Sequence, residues 1–244
     1  MGQKQSKQTP SAHSKQVSKK KSNRGPRNGQ RPERVELTPY IHIALSSLRQ
    51  EFSDFTAPEH IFTSHANFLA PALVRGRKNR IILYAGHFNP PHIGHKLLLA
   101  HTMFRNPLDG VIAAIVIPMD DDIVREKLEE AGKNTSIILS KDDRIRLFRD
   151  ALLDPWCWFF PGGLEHQSTF FDQLRRAAKY DGFELDYVII CGPDWVSSEK
   201  GCYAWECGGT DVVVGDALRP ASFRVRRGLN FPSPQTPYSP KYPL

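Results

Sequence analysis

IILYAGHFNPPHIGHKLLLAHTMF, from Ile81 to Phe104, joins three local patterns in succession. Ile81 to Ala85 is a short apolar run rich in branched residues, as a buried strand is. Gly86 breaks the run. A turn follows with Asn89, Pro90 and Pro91, and it closes on His92-Ile93-Gly94-His95. From Lys96 a helical pattern begins, with Leu98, Leu99, Thr102 and Met103 on one face. A strand that turns tightly into a helix N-terminus is suited to an anion. The first helical turn offers unpaired N–H groups and the positive end of the dipole. Gly86 and Gly94 have no side chain to keep a ligand from the backbone. His92 and His95 lie three residues apart, so both project to one side of the helix start. Each can donate a hydrogen bond to a phosphate oxygen, and each can carry charge if a bound anion raises its pKa.

The chain around this stretch alternates strands and helices. Val111 to Ile117 is a continuous apolar run, the mark of a parallel strand covered on both faces. With the first strand and helix it makes a βαβ unit. Pro118 ends that strand. Asp120-Asp121-Asp122 follow at its C-terminal edge, either as a solvated helix start or as a Mg²⁺ site. Ser140-Lys141-Asp142-Asp143 is a capping box opening a helix to about Leu153. Trp156 to Phe160 reads as a short aromatic strand. Ser168 is placed to cap a helix that Asp181-Gly182 stops near Tyr180, with Phe171, Leu174 and Ala178 inward. Tyr187 to Ile190 and Val212 to Val214 complete the strands, and the former delivers Gly192-Pro193-Asp194 to the edge that holds His92 and His95. Upstream, Ile41, Ala44, Leu45 and Leu48 predict an amphipathic helix over Thr38 to Glu51. The expected fold is α/β, a Rossmann-like, doubly wound parallel sheet with flanking helices.

The net charge of +7 resides in one segment. Residues 1–34 hold ten of the 33 Lys and Arg and one acid, which leaves 23 bases against 25 acids in the remainder. Nucleic acid is therefore not an expected partner of the folded body. No window approaches the roughly 20 apolar residues of a membrane span, and the N-terminus has no secretory apolar core. An intracellular location, cytoplasmic or nuclear, follows as the expectation, with reduced thiols. Cys202 and Cys207 lack the partners a zinc site requires.

Three segments are expected: a disordered basic tail over 1–35, an α/β domain over 36–228 and a Pro-rich tail over 229–244. Met1-Gly2-Gln3-Lys4-Gln5-Ser6 fits the N-myristoylation pattern at Gly2. Together with Lys4, Lys7 and Lys19-Lys20-Lys21, an acyl chain would give weak membrane association. The lysine run reads equally as a nuclear address or a solvated arm.

GHFNPPHIGH, Gly86 to His95, resembles the signature of the nucleotidylyltransferase superfamily, and its form G-x-F-N-P-x-H-x-G-H is most similar to the nicotinamide mononucleotide adenylyltransferase branch. The resemblance spans roughly Arg80 to Gly215. It implies transfer of a nucleotidyl group from ATP (or CTP), with Mg²⁺, to a phosphorylated small-molecule acceptor, as in NAD biosynthesis. It implies His92 and His95 as the catalytic pair and Gly86, His87, Phe88, Asn89, Gly94, Gly192 and Asp194 as nucleotide-binding residues. Asp121 matches the acid of a P-V-x-D-x-Y-x-K segment on the acceptor side, although Ile123 and Arg125 stand where Tyr and Lys are usual. Trp156 resembles an aromatic that stacks on the acceptor ring, and it reads equally as a core aromatic. The family's closing I-S-S-T-x-x-R, which grips the triphosphate, has no counterpart; Ser222-Phe223-Arg224-Val225-Arg226-Arg227 lacks the Ser-Thr. The same signature also suits a cytidylyltransferase acting on a phosphorylated alcohol, or a nucleotide-binding protein without turnover.

Overall fold

Apolar runs without polar alternation belong in strands covered on both faces, and here they assemble one sheet. The computed structural model describes residues 32–58, 61–62, 69–105, 108–133, 136–149, 155–192 and 208–215. Its central strands are β3 (Lys78–Gly86) and β4 (Val111–Pro118), with β5 (Cys157–Phe159), β6 (Glu184–Cys191) and β7 (Asp211–Val214) around them. The order across the sheet is β5-β4-β3-β6-β7, and every pair is parallel. The fold is thus a Rossmann-like α/β fold, as the alternation predicts. The chain winds outward from β3 through β4 to β5, returns to the other side of β3 and winds outward again. That reversal falls at the C-terminal ends of β3 and β6, the place where open α/β sheets generally carry their ligand crevice.

Pleating sends successive side chains of β3 to opposite faces. Ile81 and Leu83 join one core with Ala113, Ile115, Trp158, Tyr187 and Ile189, covered by α1 (Thr38–Glu51) and α5 (Leu164–Tyr180). Ile82 and Tyr84 join the other with Val116, Val188 and Ile190. There Leu99 of α2 (Ile93–Arg105) and Phe148 of α4 (Lys141–Arg149) pack against them. The predicted face of α2 packs inward, with Leu99 and Thr102 buried and Leu98 and Met103 partly so. α1 has the predicted limits and buries Ile41, Ala44, Leu45 and Leu48.

Some boundaries differ from the sequence expectation for local reasons. α2 begins at Ile93, before Lys96, because the His92 carbonyl accepts the amides of His95 (3.0 Å) and Lys96 (3.5 Å). α5 begins at Leu164, so Ser168 lies inside it and caps nothing. The Gly163 amide instead donates to His166 Nδ1 at 3.0 Å. The stop at Asp181-Gly182 is as predicted, with Gly182 at φ +78°, a conformation glycine adopts without strain. A small antiparallel ladder joins β1 (Arg34–Glu36) to β2 (Ala72–Val74), so Arg34 and Val35 are strand residues rather than tail. Buried Asn79 ties the turn after β2 to the sheet. Its Oδ1 accepts from the Val74 amide, and its Nδ2 donates to the carbonyls of Val74, Arg77 and Glu184. Among the described residues, no helix is long and apolar enough to cross a membrane. Gly2, Lys19 to Lys21, Asp150 to Asp154, Pro193, Asp194, Cys202, Cys207 and the segment from Ser222 to Arg227 lie outside the described residues.

Candidate active site

β3 and β4 end together, with Gly86 opposite Pro118, and the Gly86 carbonyl accepts the Met119 amide at 3.0 Å. From there residues 87–92 cross the C-terminal edge of the sheet and enter α2. The loop therefore sits at the reversal of strand order, beside Gly192 at the end of β6. Ligands of open α/β sheets collect at this place.

His92 and His95 stand side by side at the start of α2. Their rings stack with centroids 3.6 Å apart and planes inclined by 23°. The Gly94 amide donates to His92 Nδ1 at 3.1 Å, and the His92 amide donates to His95 Nδ1 at 3.2 Å. An imidazole nitrogen that accepts a hydrogen bond has no proton, so each ring carries its N–H at Nε2. Backbone amides thus set both tautomers and leave Nε2–H as the donor of each ring. This is a paired hydrogen-bond donor, held rigidly, at the positive end of a helix.

Burial, and then the neighbouring His92, pushes the pKa of His95 down to about 4. Burial, with Lys127 and Arg144 nearby, pushes His87 down to about 4 as well. In the absence of an anion these rings are neutral donors at physiological pH, not cations. The sign of the pH effect follows. Between the folded value near 4 and the ordinary value of 6.5, the unfolded chain binds a proton that the folded chain refuses. This contribution to stability is intact above about pH 6.5 and is lost as the pH falls toward 4. The urea midpoint is expected to drop across that interval, with a shallower drop in His95→Gln. Equal slopes in the two proteins would remove His95 as a source of the effect.

The loop that carries the pair is braced from several sides. Phe88, at φ 47°, folds its ring back into the core, where it meets Tyr84, His95 and Phe148 edge-on at 5.1, 5.1 and 5.2 Å. Its ring lies over Gly86, where a Cβ would stand 2.8 Å from Phe88 Cζ. Gly86 is therefore needed to admit Phe88, whose ring takes the place a side chain would fill. Asn89 is likewise a brace, since its Nδ2 donates to the Ile137 carbonyl and its Oδ1 accepts the Leu139 amide, both at 2.9 Å. The backbone carbonyl of His87 accepts from buried Arg144 at 2.6 Å, and its Nδ1 lies 3.3 Å from Lys127 Nζ of α3 (Asp121–Glu130).

The acids after β4 are engaged by α4. Ser140 caps that helix as predicted: its Oγ accepts the Asp143 amide at 3.1 Å and donates to Asp143 Oδ2 at 2.8 Å. One turn then presents Lys141 and Arg144 on the same side. Lys141 pairs with Asp120 at 2.8 Å and also donates to the Gly162 carbonyl; Arg144 pairs with Asp121 at 2.5 Å. Asp121 thus gives one carboxylate oxygen to the scaffold, with its side chain 41% exposed. Among the described residues no group of three or more His, Cys, Asp or Glu is placed to hold a metal ion.

Trp156 is not brought to this site. It precedes β5, whose Cys157 lies opposite Ala114, so it stands toward the N-terminal side of the sheet. It is 93% buried, against Phe104 at 5.4 Å, and the core reading of this residue is the one the packing gives. Gly192 reaches the edge, half-buried. The brace by Arg144 is absent from the sequence expectations. The sequence places Arg144 one turn into the capped helix and gives no sign of the carbonyls it reaches.

No family model matches the sequence, and no curated protein matches it. Among solved structures, the chain is similar to the Plasmodium falciparum nicotinic acid mononucleotide adenylyltransferase complexed with APC. The identity is 13% and the TM-score 0.31, over 48% of this chain and 52% of that one. The match thus takes in about half the length of each.

Proposed function

We propose that this chain is a nucleotidylyltransferase that moves a nucleotidyl group from a nucleoside triphosphate to a phosphorylated small-molecule acceptor and releases pyrophosphate. The observation that carries the reading is the stacked His92–His95 pair, with both Nδ1 atoms tied to backbone amides at the start of α2. In such a reaction an oxygen of the acceptor phosphate attacks the α-phosphorus, the bond from that phosphorus to the bridging oxygen breaks, and pyrophosphate leaves. No protein nucleophile takes part. The protein's work is to align the two phosphates and to offer donors where negative charge grows. The Nε2–H groups of His92 and His95 suit the α-phosphate and the leaving group, and Mg²⁺ bound with the triphosphate would supply the larger neutralisation.

Adenylyl transfer to nicotinamide mononucleotide is the specific reaction we favour, on the form of the Gly86 to His95 signature. Trp156 lends it no support, being buried in the core. The test is incubation with ATP or CTP, Mg²⁺ and a panel of phosphorylated acceptors, followed by pyrophosphate release. Release with ATP and nicotinamide mononucleotide is the expected result. Release only with CTP and a phosphorylated alcohol would move the protein to cytidylyl transfer. Protection from heat by a nucleotide without release would make it a binding protein, the reading favoured by the missing I-S-S-T-x-x-R. Neither release nor protection would overturn the proposal.

A further inference from the structure

A guanidinium buried without exposure must satisfy five N–H donors and one charge inside the protein. Arg144, 0% exposed, makes four such bonds, to acceptors in three stretches of the chain. Nη1 donates to the His87 carbonyl at 2.6 Å, in the loop after β3. Nη2 donates to the Met119 carbonyl at 2.7 Å, just past β4, and to Asp121 at 2.5 Å, in the first turn of α3. Nε donates to the Leu139 carbonyl at 3.1 Å, ahead of α4. Asn89 joins the signature loop to Leu139 a second time.

We propose that Arg144 is a positioning residue for the His92–His95 pair, acting through the His87 carbonyl. The inference rests on the nucleotidylyltransferase reading for its kinetic consequence, although not for its geometry. One end of the loop is fixed at Gly86 by the Met119 amide and the other at His92 by the first turn of α2. Between them the path of the backbone is set by Arg144 and by the inward ring of Phe88. The guanidinium joins that path to Met119 and Asp121, so it fixes how far the imidazole pair stands from the end of β4. A lysine would keep the charge but not the planar fork that reaches four acceptors in different directions. The buried guanidinium is occupied by the scaffold, so Arg144 is not a ligand for the triphosphate.

The experiment compares Arg144→Lys with Tyr187→Phe, which removes the buried hydrogen bond from the Tyr187 hydroxyl to the Phe171 carbonyl in the opposite core and touches neither the loop nor α4. Two quantities are read at a temperature where each variant is folded: the imidazole ¹⁵N resonances of His92 and His95, with exposed His42 of α1 as reference, and kcat and KM for pyrophosphate release. In Arg144→Lys the His92 and His95 resonances are expected to shift while His42 does not. A misplacement of about 1 Å costs on the order of 10² in rate, so kcat is expected to fall by about that factor, with KM for the triphosphate changed far less. Tyr187→Phe is expected to lower the melting temperature with resonances and kcat near wild type. Arg144→Lys behaving like Tyr187→Phe would overturn the proposal. Asp121→Asn, which keeps the carbonyl bonds and removes the countercharge, tests the same point if Arg144→Lys does not fold. It is expected to shift the same two resonances by less, and unmoved resonances would count against the proposal. A wild-type protein that releases no pyrophosphate would defeat the reading of function, while the resonances still decide the role of Arg144.

Discussion

Replacing His95 with alanine is expected to lower the rate of pyrophosphate release by about 10²–10³-fold, the usual cost of removing one preorganised donor at a developing oxyanion. The geometry sharpens the expectation. His95 Nδ1 accepts the His92 amide, and the two rings stack at 3.6 Å. Removing His95 therefore deletes one Nε2–H donor and also releases the ring that braces the other. His92→Ala should cost a similar factor, since it deletes the other donor of the same pair. The double variant should lose much less than the product of the single losses, because the rings act as a unit and each single change has already disabled its neighbour. Steady-state release by the three variants measures this, with nucleotide protection against heat confirming that each still folds. Undiminished turnover in His95→Ala would remove that residue from the mechanism. Strict multiplicativity of the two losses would show that the rings work independently, and the stacking would then have no catalytic meaning.

The sheet was readable because its strands are covered on both sides. Ile81 to Ala85 and Val111 to Ile117 show no polar alternation, and each sends residues into two separate cores. The helical faces of Thr38 to Glu51 and of Leu98 to Met103 were readable because apolar residues recur at the helical period. β1 and β2 were not, since three residues of strand carry no periodic signal. The start of α5 was missed because its cap is a histidine side chain three residues into the helix, where a serine was expected just before it. At the candidate site the spacing placed His92 and His95 together at a helix start, where the structure has them stacked, but it gave no sign of which neighbouring side chains hold the loop. Phe88, Asn89 and Asp121 sit in or beside the signature, and they pack in the core, bond to the backbone ahead of α4 and pair with Arg144 respectively. Such a distinction depends on contacts between segments about 23 to 60 residues apart, here Arg144 with Asp121 and Phe88 with Phe148, which periodicity does not register.

Phe88 supplies the second large expected effect, and its direction is unusual. Removing a buried phenylalanine ring costs about 3–5 kcal/mol, and this ring lies 96% buried between Tyr84, His95 and Phe148. Phe88→Ala should be destabilised within that range. Phe88→Gly removes one methyl more and ordinarily would be worse. At φ 47°, however, any residue with a Cβ is strained and glycine is not. Relief of that strain is worth about 1–2 kcal/mol, which exceeds the 0.5–1 kcal/mol or so that glycine usually loses to alanine through its freer unfolded chain. Phe88→Gly is therefore expected to be more stable than Phe88→Ala in urea unfolding, by up to about 1 kcal/mol. Both should lose most turnover, because the edge of the Phe88 ring no longer supports His95 and the space over Gly86 opens. The opposite order of stability would mean that the backbone at residue 88 does not turn left-handed. The ring could not then lie over Gly86, and the support it gives His95 would have to come from elsewhere.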